Sequence, residues 1–172
     1  MNEQAYLLII GAIIGFLSAT LKDFINHYLK SKKEKDALAL KRLEESFIYL
    51  SKSYSYCTKI FTKNIDNSRN NNIEENTDSI KLAFQIRTYF PELMKEFNNF
   101  STSYNDFGSF QISKSIEFNQ TIKSQGYSEK LFDELFKNYY SDKEYFKLYE
   151  SFIINYKNLC DAIIKETKKY NK

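Results

Sequence analysis

Any chemistry this chain performs has to be built from very few of the usual side chains. His27 is the only histidine, and Cys57 and Cys160, about a hundred residues apart, are the only cysteines. A neutral-pH general base is most often histidine, and bundle-housed metal sites want Glu-x-x-His pairs facing inward. Neither cysteine has a second Cys or His at metal-ligand spacing, so both read as reduced core thiols rather than disulfide partners or zinc ligands. Serine and cysteine hydrolase arrangements lose their partner residue, and no G-x-x-x-x-G-K or G-x-G-x-x-G loop offers a phosphate cradle. The sequence therefore predicts no catalytic residue, no metal ligand and no cofactor, and a protein that is not an enzyme.

Two other patterns invite binding chemistry. In "FKNYYSDKEYFKLYE" aromatic rings alternate with lysines, as in a surface that stacks bases and meets phosphate. The carboxylates there nearly balance the lysines and the rings fit a helical seam, so nucleic acid is not an expected partner. The second pattern is "LLIIGAIIGFLSATL", residues 7–21, inside a run of 17 uncharged residues from Ala5 to Leu21. As a helix that run is about 26 Å long, enough to cross a hydrocarbon core with little tilt. "MNEQ" has no basic side chain and "LSATLKD" no A-x-A cleavage pattern, which argues against a cleaved signal. Gly11, Gly15 and Ala19, four apart, line one stripe, where small residues let a second membrane helix approach closely. Self-association of the span, and a homo-oligomer, follow as expectations.

The flank sets the expected orientation. Between Lys22 and Arg42 there are seven Lys or Arg against Asp23, Glu34 and Asp36. Lys22, Lys30, Lys32, Lys33 and Lys35 would hold the C-terminal side at the cytoplasmic face of a bacterial inner membrane and meet lipid headgroups, with the short N-terminus outside. Phe24, His27 and Tyr28 fall at headgroup depth.

The remaining elements are read from periodicity. Gly and Pro total five against 29 Phe and Tyr, too few turn residues for an all-β chain. Leu40, Leu43, Phe47, Leu50, Tyr54, Cys57 and Phe61 alternate steps of three and four, and no Gly or Pro interrupts the chain from Gly15 to Pro91, which predicts a stalk of roughly 55 to 60 residues. Six asparagines between Asn64 and Asn76 mark a loop. A second stripe, Ala83, Ile86, Phe90, Leu93, Phe97, Phe100, Tyr104 and Phe107, starts after a cap at Thr77 or Asp78, passes through Pro91 with a kink or short break, and ends at Gly108. Phe110, Ile112, Ile116, Phe118 and Ile122 fall on even positions like a strand. No second strand exists to pair with it, so a short separate helix is expected. After Gly126 come "EKLFDELFKNYY" and a long helix opened by a capping box, Ser141-x-x-Glu144, carrying Tyr145, Tyr149, Phe152, Tyr156, Leu159 and Ile163.

The expected fold is all-α: a single N-terminal transmembrane helix (1–21), a basic juxtamembrane stalk (22–39), and a cytosolic antiparallel helical bundle with long heptad-patterned helices (40–172). This layout resembles small bacterial single-span proteins with a cytosolic bundle, some of which are similar to membrane effectors in anti-phage systems. The resemblance covers architecture and carries no functional residue. The uncharged run, its lysine flank and the absence of a catalytic constellation in the sequence give the expected function: a non-enzymatic membrane protein whose bundle binds a cytosolic protein partner or a signal. Its span is expected to self-associate, with membrane perturbation as in anti-phage effectors the further expectation. The rival expectations are a static tether or scaffold and a ligand-sensing bundle.

Overall fold

The computed structural model describes the backbone of residues 3–67 and 76–170, and the side chains of residues 20–65 and 76–170. Among the described residues the chain is all-helical. It comprises α1 (Glu3–Cys57), α2 (Ile60–Asn67), α3 (Asp78–Tyr89), a 3₁₀ turn (Pro91–Leu93), α4 (Met94–Gln125), α5 (Glu129–Ser141) and α6 (Lys143–Thr167). Two compact units are present, residues 1–41 and 42–172.

Unit 42–172 is a bundle arranged along α4, whose 32 residues span about 48 Å. Its N-terminal half runs antiparallel to α6: Phe100 and Phe107 meet Phe152, and Phe110 meets Tyr145. Its C-terminal half runs antiparallel to α5, with Phe110 against Tyr139 and Phe118 against Phe132. Thus α5 and α6 lie one after the other along the same partner. The end of α1 and α2 run parallel to α4 instead, Cys57 reaching Tyr104, Phe61 reaching Gln111 and Asn64 reaching Ser115. That exception to an all-antiparallel bundle follows from α3, which comes between them in the chain. It packs antiparallel to α1, Arg42 stacking on Tyr89 and Ser46 meeting Gln85.

Pro91 does break the helix, and the chain also reverses there. Phe90 leaves helical geometry (φ −136°, ψ 59°) and Pro91 opens the 3₁₀ turn, where its missing N–H costs nothing. The reversal brings Asn76, just before α3, back to Tyr104, to whose hydroxyl oxygen its Nδ2 donates at 2.9 Å. Ile86, Phe90, Leu93, Phe97, Phe100 and Phe107 are all buried, as the stripe predicts, but on two helices folded against each other.

Gly108 does not end an element, and residues 109–124 are not a separate helix: α4 runs through both. The even-numbered alternation is coincidental, since Ile112 and Ile116 are exposed while Gln111 and Ser115 are buried beside Phe110 and Phe118. The first stripe is likewise shifted. Phe47 is exposed, and the small Ser46 and Ser53 occupy buried positions between Leu43, Leu50 and Cys57.

Caps explain the remaining ends. Gly126 closes α4 at φ +80°, a left-handed conformation that disfavours any side chain. Ser128 accepts from the Leu131 N–H to start α5. The predicted capping box at Ser141 is displaced by one residue: Asp142 caps α6, its Oδ1 accepting from the Glu144 N–H at 2.8 Å, while the Ser141 hydroxyl donates to Asn138 C=O. Thr77 holds the N-cap position of α3 without a side-chain cap bond, and the Asp78 N–H is satisfied by Asn76 Oδ1.

Candidate functional site

Among the described residues no helix is long and apolar enough to cross a membrane. The predicted span, including Gly11, Gly15 and Ala19, lies up to residue 19 outside the residues whose side chains are described, so neither the transmembrane expectation nor the small-residue stripe gains support here. Lys22, Lys30, Lys32, Lys33 and Lys35 are exposed on α1 and form no ion pair among the described residues.

Unit 1–41 shows a further feature on the same turns. Leu21, Phe24, Ile25, Tyr28 and Leu29 follow the i, i+3, i+4, i+7, i+8 spacing of one helix face, and all five are 47–71% exposed. Single exposed apolar residues are ordinary, but five contiguous ones over two turns call for a partner. Periodicity could have found this stripe, whose turns carry Lys22 and Asp23 and run into the lysine-rich flank from Lys30 onward.

In unit 42–172 the interior is dominated by rings. Phe152 is fully buried among Tyr54, Phe100, Tyr104 and Phe107, at centroid distances of 5.3 to 6.3 Å. Burial, reinforced by the neighbouring Tyr149, pushes the Tyr54 hydroxyl up to about 12. At the other end Phe61 stacks on Tyr139 at 3.6 Å and meets Phe118 and Phe136 edge-on. Beside this cluster a recess of about 190 Å³ opens, walled by Phe61, Phe118, Leu135 and Tyr139. Lys114 stands at its rim, 3.3 Å from Glu117 and 3.4 Å from Asp142. The Asp142 carboxyl is held below the usual carboxylate range, first by the Glu144 N–H and then by Lys114.

The two thiols differ. Cys57 is fully buried, and burial pushes its pKa up to about 12, so it is inert as a nucleophile. Cys160 is half-buried; burial raises it as well, with Tyr156 opposing. Among the described residues no group of three or more His, Cys, Asp or Glu side chains is arranged to hold a metal ion.

Interior polar groups join helices. Gln85 links Ser46 Oγ, 2.6 Å from its Oε1, to Glu45, which accepts from its Nε2 at 2.9 Å. Gln111 is buried at the gap between α1 and α2, where the Phe61 N–H donates to its Oε1 at 3.2 Å and its Nε2 donates to Cys57 C=O. These two bonds orient the amide, because the opposite orientation would set oxygen against oxygen. Sequence reasoning missed Gln111 and Ser115, which looked like the polar side of an alternating segment.

No protein-family model, curated protein or solved structure matches this chain. The fold class, all-α with a helical bundle, therefore stands on its own geometry.

Proposed function

We propose that the chain is a non-enzymatic single-span membrane protein, with residues 1–21 crossing a bacterial inner membrane and the C-terminal bundle in the cytoplasm. In this reading residues 22–39 form a basic stalk, and residues 40–172 receive a protein partner or signal. The span assembles with its copies along Gly11, Gly15 and Ala19 and perturbs the membrane, as anti-phage effectors do. The observation that carries the reading is the exposed stripe Leu21–Leu29, which continues an uncharged run of 17 residues, contains Lys22 and is followed by Lys30, Lys32, Lys33 and Lys35, none in an ion pair among the described residues. Moving five half-exposed apolar side chains from water into a bilayer interface would contribute roughly 5 kcal/mol. Each lysine near an anionic leaflet adds about 1 kcal/mol. A ligand-sensing bundle is the second reading, favoured by the aromatic-walled recess beside Phe61 and Tyr139.

The test is induced expression of the full chain and of a copy lacking residues 1–21, with growth and membrane potential recorded. The full chain should collapse the potential and arrest growth, and the shortened chain should do neither. Full chain recovered in membranes with the potential intact would leave a static tether in place of an effector. Full chain recovered outside membranes would overturn the anchor itself.

A further inference from the structure

The interruption between α1 and α2 owes nothing to Gly or Pro; locally the Thr58 hydroxyl donates to Ser55 C=O at 3.1 Å, a back-bond that bends a helix but does not part it. Residues 57–61 read Cys-Thr-Lys-Ile-Phe, with neither Gly nor Pro, and Leu50, Cys57 and Phe61 keep one buried stripe across the gap. In an unbroken helix the Phe61 N–H would donate to Cys57 C=O, four residues back. Those are the two backbone groups that the Gln111 amide occupies, one with each end. Around the gap the backbone tightens, the Lys59 N–H donating to Tyr56 C=O only three residues back. A side chain inserted into the helical ladder is one of the few physical causes of a sharp break.

We propose that this joint is a two-state conformational device with Gln111 as its wedge. With the amide inserted, α1 and α2 are separate helices. With it withdrawn, Phe61 N–H closes directly on Cys57 C=O and the two helices become one. The exchange sets the two side-chain hydrogen bonds against the i→i−4 backbone bonds of a continuous helix across residues 59–62, and obliges the amide of Gln111, buried here, to find other partners, so packing around it decides between the states. The packing concerned is that of Phe61, which stacks on Tyr139 and walls the neighbouring recess. Realigning α2 shifts that ring, and the joint and the recess change together. The device lies wholly within residues 42–172 and does not depend on the membrane reading.

The experiment uses the full chain in detergent micelles, with backbone NMR of residues 57–61 in the parent, Gln111→Met and Gln111→Glu. Methionine keeps the length of the side chain and removes both polar groups. A two-state joint then gives helical carbon shifts at Thr58 and Lys59, with the Phe61 amide still protected because Cys57 C=O takes it over. A fixed break gives unchanged turn shifts and a Phe61 amide exchanging at least about tenfold faster, as expected of an orphaned group, and overturns the proposal. Glutamic acid supplies the second arm: protonated, it can donate to Cys57 C=O as the amide does, and ionised it cannot. Reversible movement of Thr58 and Lys59 between turn and helical shifts as pH rises is the expected result. Loss of the fold at high pH with no helical signal at those residues also overturns the proposal.

Discussion

Replacing Phe152 by alanine removes the side chain that ties α1, α4 and α6 together. It has no exposed surface, and four rings lie against it: Tyr54 from α1, and Phe100, Tyr104 and Phe107 from α4. Truncating a buried phenylalanine costs about 3 to 5 kcal/mol, the transfer term plus the cavity left behind. The position belongs in that range, since the surrounding rings are too stiff to collapse into the space. With a urea dependence of about 2 kcal/mol per molar, a loss of about 4 kcal/mol moves the unfolding midpoint down by about 2 M. Ile154→Ala, two residues on in the same helix at a side chain that is 49% exposed, should move it by about 0.3 M or less. The chain has 14 tyrosines and no tryptophan, so near-ultraviolet circular dichroism reports tyrosine packing directly. Full chain in mild detergent, titrated with urea, gives both midpoints. Equal shifts for the two variants would refute the aromatic junction.

Further outcomes follow from the titrating groups, the caps and the span. Cys57 has an ordinary value of 9.0 and is raised to about 12, so the folded state holds its proton more tightly than the unfolded state. Its contribution is complete below about pH 9 and is lost as pH rises toward 12, at up to about 1.4 kcal/mol per pH unit, and Cys57→Ala should flatten that decline. Thiol reagents should modify half-buried Cys160 in the native protein and Cys57 only on unfolding; rapid native labelling of Cys57 would contradict its burial. Asp142→Ala should cost about 1 kcal/mol through the lost N-cap and Asp142→Asn less, while Ser141→Ala should be close to neutral in thermal unfolding. Because the Asp142 carboxyl is lowered, its contribution is present above the ordinary carboxylate range and is lost as pH falls through the lowered value. Gly15→Ile should reduce crosslinked oligomers in membranes about fivefold to thirtyfold, while Ile10→Leu should not; equal crosslinking would make the glycines incidental.

Much of the bundle was legible because burial follows helical spacing. Leu43, Leu50, Cys57, Phe61, Ile86, Phe97, Phe100 and Phe107 were placed on core stripes from spacing alone, and all are buried. Spacing cannot tell one long helix from two folded back at a proline, and that is how the Pro91 reversal escaped. It also ranks positions by apolarity, so Ser46, Ser53 and Ser115 looked like surface. Close helix approach favours small side chains there, and Ser115 additionally accepts from Asn64 Nδ2. At the candidate membrane site the uncharged run and the lysines were plain in the sequence. Leu21, Ile25 and Leu29 were not recognised as one face with Phe24 and Tyr28.

The helix breaks show where such legibility stops. Pro91, Gly126 and Asp142 each announce a break locally, through a missing donor, a left-handed conformation and a capping carboxylate. The break at Thr58 and Lys59 has no Gly or Pro within ten residues and locally only the Thr58 hydroxyl on Ser55 C=O; its wedge is Gln111, fifty residues away from Phe61 and brought there by the fold. A buried glutamine is costly unless both ends of its amide are paired, and a continuous helix offers it no free backbone groups. Opening the ladder at Cys57 and Phe61 supplies one acceptor and one donor, the pair an amide needs. Pairing of the buried amide and interruption of the helix are therefore one event. A chain with only four glycines and one proline can thus still place a break mid-helix, through a polar side chain whose own segment reads as helix or strand but never as a cap.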